Sequence, residues 1–369
     1  MRLRRIVAEG FRNLGPLDLT IPARFIVLHG PNAQGKTNSL EAVHLIATLK
    51  PLRGRRTREL IAWGGQAARV SAWIEHEGIE RQYRVELTRE GRTAKLDGKR
   101  VSDLQEYFSG VRAIAFTPED GRIVSGEPSR RRNWLDRATF TASPAHLDRV
   151  RTYRQCLAQK AAALRSGSVD TALLDVLDDQ LSALGAELVT RRVWMLSELE
   201  PHMLSLHSDI AGGEGVLSLS YSTRARGETV EERRRSLRER LREVRPRELE
   251  RRTTLAGPQI DNVRISLDDR PARDFASRGQ IRSLVLALKL AEMVAARARG
   301  EVPLFLIDDA SSELDAARTA RLVGLLSDLG AQVFATTTDP GPLTAALPRE
   351  DTLLVSLDGG VLSPGGTPS

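Results

Sequence analysis

The sequence predicts an α/β fold with a nucleotide-binding sheet, an antiparallel β lobe and an inserted helical domain. A glycine-rich loop at residues 30–37 lies between an apolar run typical of a buried strand and a run with helical spacing. A second apolar run, at 302–307, ends in two consecutive carboxylates. From about residue 126, strand-like alternation gives way to long helical patterns. These three observations together indicate the fold class.

The chain length favours two domains. With 369 residues it exceeds the size, about 250–300 residues, at which single hydrophobic cores stop growing. We therefore expect an α/β head formed by residues 1–125 and 251–369. Residues 126–250 are expected to form a helical insert, or arm.

Composition indicates a globular protein of the cytoplasm. The hydrophobic fraction is 41%, and no apolar run approaches the roughly 18 residues of a membrane span. The first residues lack the apolar stretch of a secretory signal. The one cysteine, Cys156, excludes an internal disulfide and fits a reducing compartment, with a packing role on a helix. We expect no membrane partner.

Positive charge is concentrated in the first third of the chain. The net charge is +7, and residues 1–125 alone carry 21 Lys and Arg against 14 Asp and Glu. A cluster at 53–58 would suit phosphates or a nucleic-acid backbone. The alternative is a general arginine bias, since only six basic residues are lysine. Charge alone does not decide between them.

Strand patterns surround the glycine-rich loop. Two short strands are predicted at 3–8 and 17–21, the second with alternating apolar and polar residues. Further strands at 70–74 and 83–87, separated by Gly-containing turn signals, predict an antiparallel sheet. This sheet forms the predicted β lobe.

The loop matches G-x-x-x-x-G-K-[ST] at every position. Its glycines allow the backbone N–H groups and a helix N-terminus to approach phosphate. We expect Lys36 to reach the β- and γ-phosphates of a nucleoside triphosphate and the Thr37 hydroxyl to bind Mg²⁺. The predicted nucleotide-contacting residues of the loop are Gly30, Pro31, Asn32, Ala33, Gln34, Gly35, Lys36 and Thr37.

The middle of the chain predicts two long helices, at 128–165 and 168–210. The second carries five leucines from Leu174 to Leu188 at alternating spacings of three and four residues. An antiparallel helical hairpin and an ordinary helical core both fit this pattern. A strand at 216–221 and a charged helix at 228–250 follow.

The two carboxylates after the run at 302–307 predict the metal side of the site. A central strand carries such acids to the carboxyl edge of the sheet, where Mg²⁺ and phosphates lie. We assign Asp308 to the metal and Asp309 to the polarisation of the attacking water. Asp309 and Lys36 are the predicted catalytic residues.

The stretch Ser277-Arg278-Gly279-Gln280 predicts a second anion-binding site. It opens a long apolar helix at 281–296, whose N-terminus would attract negative charge. Its position along the chain suggests that the turn of one copy completes the nucleotide site of another. Ser-Glu-Leu-Asp at 312–315 follows the two carboxylates.

The order of these motifs resembles the ABC-type ATPase heads of the SMC class. Within that class, a set of stretches along nearly the whole chain is similar to the bacterial RecF family of DNA replication and repair proteins. They are FRNL at 11–14, the loop at 30–37, FTPED at 116–120, RRNWLD at 131–136 and IDDASSELD at 307–315.

The resemblance implies an ABC-type, SMC/RecF-like head with a mixed sheet and an ATP-dependent DNA-binding protein with slow ATPase activity. ATP with Mg²⁺ would join two copies in a homodimer on double-stranded, gapped or junction DNA. RecO and RecR would be partners in placing RecA at single-strand gaps. Arg12 and Asn32 would contact nucleotide, and Asp315 would lie near the interface. The γ-phosphate contacts across the dimer would come from Ser277, Gly279 and Gln280.

The chain departs from the family pattern at three places. Asp309 stands where ABC ATPases usually carry glutamate, and a shorter reach suits slow hydrolysis. Thr-Thr-Thr-Asp at 336–339 occupies the place of a switch histidine. No Q-loop glutamine is evident, and Glu119 or Asp120 lies near its place.

Two other functions fit a nucleotide site alone. One is the ATPase subunit of a membrane transporter, which FRNL and the helical insert disfavour. The other is a small-molecule kinase, which has no use for the turn at 277–280. Aromatic residues make up only 4% of the chain, which argues against base stacking on single strands as the main mode of DNA binding.

Overall fold

The computed structural model describes residues 1–54, 56–166, 170–211, 215–310 and 316–364. The chain divides into two compact units, Met1–Asp120 with Glu292–Ser369, and Gly121–Ala291. Residues 121–125 and 251–291, which the sequence assigned to the head, lie in the second unit. The place of the second range follows from strand pairing between residues 217–222 and 262–267.

Among its described residues, the first part of unit one contains eight strands and two α-helices. They are β1 (Arg2–Glu9), β2 (Leu17–Thr20), β3 (Phe25–His29), α1 (Lys36–Thr48), β4 (Ala67–His76), β5 (Ile79–Thr88), β6 (Arg92–Leu96), β7 (Lys99–Arg100), α2 (Leu104–Ser109) and β8 (Ala113–Phe116).

The second unit is mainly helical. It contains α3 (Gly121–Ser125), α4 (Pro128–Ala142), α5 (His146–Arg165), α6 (Thr171–Ala211), β9 (Leu217–Ser222), α7 (Val230–Arg251), β10 (Asn262–Leu267), β11 (Arg270–Pro271), α8 (Ala272–Phe275) and the first part of α9 (Arg278–Ala298).

The chain then completes unit one. Its remaining elements are β12 (Leu304–Ile307), α10 (Ala316–Asp328), β13 (Val333–Thr337), α11 (Gly341–Ala346), β14 (Thr352–Asp358) and β15 (Val361–Pro364).

A mixed six-stranded sheet forms the centre of unit one. Its strand order is β15-β14-β3-β13-β12-β8, with β15 antiparallel to β14 and the other neighbours parallel. β12 and β13 are buried along their whole length, as expected for parallel strands covered on both faces. The parallel strands therefore bring their carboxyl ends to one edge.

The predicted antiparallel β lobe is confirmed. It is a second six-stranded sheet, ordered β2-β1-β4-β5-β6-β7, with every neighbouring pair antiparallel. The side chains of β5 alternate from Tyr83 onward between buried and half-buried positions, which matches one face on a core.

The predicted single helix at 128–165 is wrong, because α4 ends at Ala142 and α5 begins at His146. Pro144 lies between them, and a proline cannot donate the backbone N–H that a continuous helix needs. The predicted link at 166–168 lies partly outside the described residues.

The leucines of α6 belong to a helical core. Leu177, Leu181 and Leu188 share a buried cluster with side chains of α5 and with Leu241 of α7. This arrangement favours the ordinary helical core over a two-helix arm. Cys156 lies in the same cluster, as predicted, and burial raises the pKa of its thiol.

The RRNWLD stretch joins α4 to its neighbours in unit two. Arg131 Nε donates to Asn262 Oδ1 at 2.9 Å, and Arg132 donates to the backbone carbonyl of Asp261 at 2.6 Å. Asp136 accepts hydrogen bonds from Arg192 Nε and Nη2 at 2.8 and 2.9 Å. The stretch therefore has a structural role in this unit.

The Asp136 carboxylate leads us to expect that unit two is acid-sensitive. Burial acts to raise its pKa, but the hydrogen bond with His146 and the charge of Arg192 outweigh burial and hold the pKa well below its usual range. A depressed folded-state pKa contributes stability above the unfolded value, about 3.9, and loses it as pH falls further. We expect the urea midpoint to fall below about pH 4, and Asp136→Asn to reduce that dependence. An equal pH slope in both proteins would contradict this role.

Among the described residues, no helix is long and apolar enough to cross a membrane.

Candidate nucleotide-binding site

Two of the predicted motifs, the glycine-rich loop and the pair of carboxylates, meet at the carboxyl edge of the central sheet. The glycine-rich loop follows β3, and Asp308 and Asp309 follow β12. β13 lies between these two strands and ends at Thr337. The parallel arrangement thus assembles a site from segments almost 300 residues apart in the chain.

Two loop positions require glycine. Gly30 has φ +147°, and a Cβ there would lie 2.4 Å from the carbonyl oxygen of Leu357. Gly35 caps the N-terminus of α1 with φ +99°, and a Cβ there would lie 2.7 Å from Leu14. The loop therefore packs its backbone closely at both ends.

Lys36 folds back over the loop. Its Nζ donates to the carbonyl oxygens of Gly30 and Pro31, both at 2.7 Å. Burial lowers the pKa of this ammonium group, while the charges of Asp309 and Asp308 oppose that shift. The cation is thus held inside the curve of the loop, where it can attract an anion.

Asp308 is fully buried beneath the loop. Its Oδ1 accepts hydrogen bonds from Thr37 Oγ1 at 2.7 Å and Thr336 Oγ1 at 2.9 Å. Its Oδ2 contacts the guanidinium group of Arg53. These donors compensate the cost of burying a charged carboxylate. The predicted metal residues, Thr37 and Asp308, are therefore in direct contact.

The donor set around Asp308 fits Mg²⁺. A carboxylate and a hydroxyl oxygen are the hard ligands this ion prefers. The described residues contain no group of three or more His, Cys, Asp or Glu suited to a metal. Such a sparse site suits an ion that is otherwise held by substrate phosphates and water.

Thr336 connects the Asp308 carboxylate to the backbone of Asp309, a role that the sequence did not predict for the stretch at 336–339. Its Oγ1 donates to Asp308 and accepts from the backbone N–H of Asp309 at 2.8 Å. Asp309 has φ +58°, an uncommon backbone conformation that this hydrogen bond helps to hold. A threonine run ending a buried strand is the sequence signal that could have indicated this role.

Arg12 forms an ion pair with α1. Its Nε and Nη2 donate to the carboxylate of Glu41 at 2.8 and 3.2 Å. The buried Glu41 also accepts from the backbone N–H groups of Leu52 and Arg53 at 2.9 and 3.1 Å. Glu41 therefore links Arg12 to the segment that reaches Asp308. A nucleotide contact by Arg12 stays a prediction.

The tip of the glycine-rich loop is exposed but supported from both sides. Pro31, Asn32 and Ala33 are exposed. Asn13 donates to the carbonyl of Ala33 at 3.3 Å, and Gln34 accepts from the backbone N–H of Gly359 at 2.6 Å. The tip is therefore fixed in position while its outer surface remains accessible.

The two acids near the place of the missing Q-loop glutamine differ. Asp120 accepts from the N–H and hydroxyl of Thr117 at 2.9 and 3.1 Å, so its carboxylate stabilises its own turn. Glu119 is half exposed, with Oε2 3.9 Å from Arg53 Nε. Of the two, Glu119 is exposed and Asp120 is buried.

In the second unit, the turn at 277–280 is a capping box. Ser277 Oγ accepts from the N–H of Gln280 at 3.2 Å, and Gln280 Oε1 accepts from the N–H of Ser277 at 2.8 Å. A Cβ on the exposed Gly279 would meet only Ser277 Oγ, at 3.9 Å. The capping box therefore orders the N-terminus of α9 and leaves space next to Gly279. The 312–315 motif, with Asp315, lies outside the described residues.

The chain has relatives along its whole length. The family model "RecF/RecN/SMC N terminal domain" matches residues 2–357. The DNA replication and repair protein RecF of Myxococcus xanthus (strain DK1622) is 42% identical over 373 residues, covering 98% of this chain and 96% of the relative. The RecF protein of Anaeromyxobacter sp. (strain Fw109-5) is 39% identical, with 99% of each chain covered.

Solved structures share the fold. A structure of the recombination mediator protein RecF with ATP, in the RecFOR pathway, has a TM-score of 0.88 and 26% identity, with 99% of each chain covered. An SMC head bound to the C-winged helix domain of ScpA has a TM-score of 0.58 and 16% identity, covering 99% of this chain and 97% of that chain. The predicted α/β, SMC/RecF-like head class is confirmed.

Proposed function

This chain belongs to the RecF family of DNA replication and repair proteins, and from that membership we propose an ATP-driven, DNA-binding repair and recombination mediator. In the proposal, ATP joins two copies on duplex or gapped DNA and slow hydrolysis releases them. The protein acts in the cytoplasm with RecO and RecR to assist RecA loading at single-strand gaps. The relative solved with ATP supports the choice of nucleotide.

One observation carries the proposal. The loop cation, the metal-facing hydroxyl and two consecutive carboxylates meet at one sheet edge, because Thr37 contacts Asp308 directly. This is the constellation expected for binding a triphosphate and attacking its terminal phosphate with water.

Binding of ATP would exploit the loop as it stands. The backbone N–H groups of the loop and the start of α1 would receive the phosphates. Lys36 would exchange its two carbonyl acceptors for phosphate oxygens. Thr37 and Asp308 would hold Mg²⁺, which neutralises phosphate charge. The guanidinium of Arg53, now in contact with Asp308, would then be released.

Hydrolysis would depend on Asp309. Its half-buried carboxylate would orient and polarise the attacking water, and Thr336 would hold the Asp309 backbone by its hydrogen bond. Aspartate extends one methylene less than the glutamate of other ABC ATPases. The shorter reach supports a slow reaction, as expected for a switch that stays closed while bound to DNA.

The second half of each ATP site would come from the other copy. The exposed turn at 277–280 presents a helix N-terminus, and nothing within its own chain crowds Gly279. A glycine there would let the γ-phosphate of the facing copy approach the backbone closely. Differential contact with the γ-phosphate would make dimerisation depend on ATP rather than ADP.

The first experiment measures molecular mass in solution with and without ATP, and then with a short duplex. We expect a monomer that becomes a dimer with ATP and migrates with DNA. A monomer under all conditions would remove the dimer mechanism while leaving the ATP site in place.

A prediction concerns Thr336. Thr336→Val removes both hydrogen bonds of its hydroxyl while conserving volume, so Asp309 loses its support. We expect ATP hydrolysis to slow by roughly 10-fold, the equivalent of about 1.4 kcal/mol, with ATP affinity changed by less than about threefold. Single-turnover hydrolysis and nucleotide titration separate the two effects.

Thr336→Ser is the matched control, because serine retains the hydroxyl. It should hydrolyse ATP at close to the wild-type rate. Equal rates for the valine and serine variants would remove Thr336 from the mechanism.

A further inference from the structure

Trp63 is the most exposed large apolar side chain among the described residues, with an exposed fraction of 103%. It has no role in the ATP site described above. Single exposed apolar side chains are common on protein surfaces, so this ring indicates a ligand only together with the features of the segment that carries it.

The segment that carries Trp63 is held in place. The Gly65 N–H donates to the Ala62 carbonyl at 2.8 Å, closing a turn in which Gly64 has φ +77°. The Ala62 N–H donates to the Gly10 carbonyl at 2.8 Å, and the Arg12 N–H donates to the Leu60 carbonyl at 2.9 Å. The ring therefore projects from a turn fixed against the β1–β2 connection.

The same segment carries uncompensated positive charge. Arg56 and Arg58 are exposed, and within the described part of the chain neither forms an ion pair. Glu59 is the one acid between Arg56 and Trp63. An aromatic ring and exposed guanidinium groups on one short segment complement a base and its phosphates, whereas an apolar protein surface would leave these charges unpaired.

We propose that the segment 56–63, here called the Trp63 turn, binds nucleic acid at an unpaired base. In this arrangement Trp63 stacks on the base, and Arg56 and Arg58 contact the flanking phosphates. The inference rests on the proposed DNA-binding function and assigns one contact of that function to the Trp63 turn. One aromatic ring accommodates one base, which agrees with the low aromatic content of the chain.

The test compares affinities by anisotropy of two labelled DNAs, with ATP and Mg²⁺ present. One DNA is a blunt duplex and the other carries a short single-stranded end. Trp63→Ala should weaken binding of the tailed DNA roughly 5- to 150-fold, as expected for the loss of one stacked base. Binding of the blunt duplex should change by less than about twofold.

Two further variants define the origin of the effect. Trp63→Phe should restore a large part of the affinity for tailed DNA, because a phenyl ring also stacks. Arg56→Ala with Arg58→Ala should weaken binding of both DNAs and reduce the salt slope by up to about 0.9 per arginine. Trp194→Ala, at an exposed tryptophan on α6, is the control and should leave both affinities unchanged.

The outcomes are distinguishable. If the wild type binds both DNAs and Trp63→Ala binds them equally well, the inference is overturned while the proposed function stands. The same holds if Trp63→Ala loses binding of RecO or RecR but not of DNA, which would make the turn a protein contact. If the wild type binds neither DNA with ATP, the proposed function fails and the inference fails with it.

Discussion

Lys36→Met should abolish ATP binding and ATP-driven dimerisation together. The Lys36 ammonium lies inside the glycine-rich loop and is held there by hydrogen bonds to the carbonyls of Gly30 and Pro31. Methionine matches the length of lysine but supplies no charge and no donor. Loss of a charge-assisted contact with two phosphates should weaken ATP binding by roughly 100-fold or more.

The measurement is calorimetric titration with a non-hydrolysable ATP analogue, followed by mass in solution at saturating analogue. Lys99→Met is the control, because Lys99 is exposed on the short strand β7. It should bind the analogue and dimerise as the wild type does. Unchanged ATP affinity in Lys36→Met would rule out the loop as the phosphate site.

Ser277→Arg should separate the two halves of the composite site. Ser277 lies in the second unit and its side chain caps α9, so the ATP contacts of the glycine-rich loop should survive the change. The bulky arginine would occupy the space where the facing γ-phosphate must lie. We expect ATP affinity within about threefold of wild type and dimerisation reduced more than 100-fold, since a steric clash of this kind costs several kcal/mol.

Gly279→Ala refines this test. Within its own chain an added methyl group has room, so thermal stability should be unchanged or slightly higher, since alanine favours helix over glycine. Dimerisation should nonetheless weaken if a phosphate approaches the backbone there.

Ser205→Arg, at an exposed position of α6, is the control for the charge and bulk that Ser277→Arg adds to the same unit. Normal ATP-dependent dimerisation by Ser277→Arg would contradict the composite site.

The parts of this protein that were predictable are those whose signal is local. The loop at 30–37 and its flanking strand and helix lie within about 25 consecutive residues, and each flank has its own periodicity. The apolar run before Asp308 likewise identifies a buried parallel strand. The antiparallel lobe follows from alternation and turn residues. The break at Pro144 was local as well, and was missed because helical spacing continues on both sides of it.

The contacts that complete the site depend on tertiary structure. Thr336 reaches Asp308 only because β13 pairs beside β12, and Arg53 reaches it from the segment after α1. Arginine in a basic cluster predicts a surface charge, yet Arg53 turns inward while Arg56 and Arg58 stay exposed. Such outcomes depend on which side chains meet across the sheet edge, which sequence spacing does not encode.

The sequence by itself therefore determined the fold class, the phosphate loop and the two carboxylates, because each is a short pattern of backbone conformation and burial. Only the tertiary structure decided how Thr336, Arg53 and Glu41 connect these pieces, and that Trp63 projects from the surface. Their roles come from pairing and packing between segments distant in the chain. Whether two such side chains form a contact depends on where the fold places them, and their neighbours in the sequence do not reveal this.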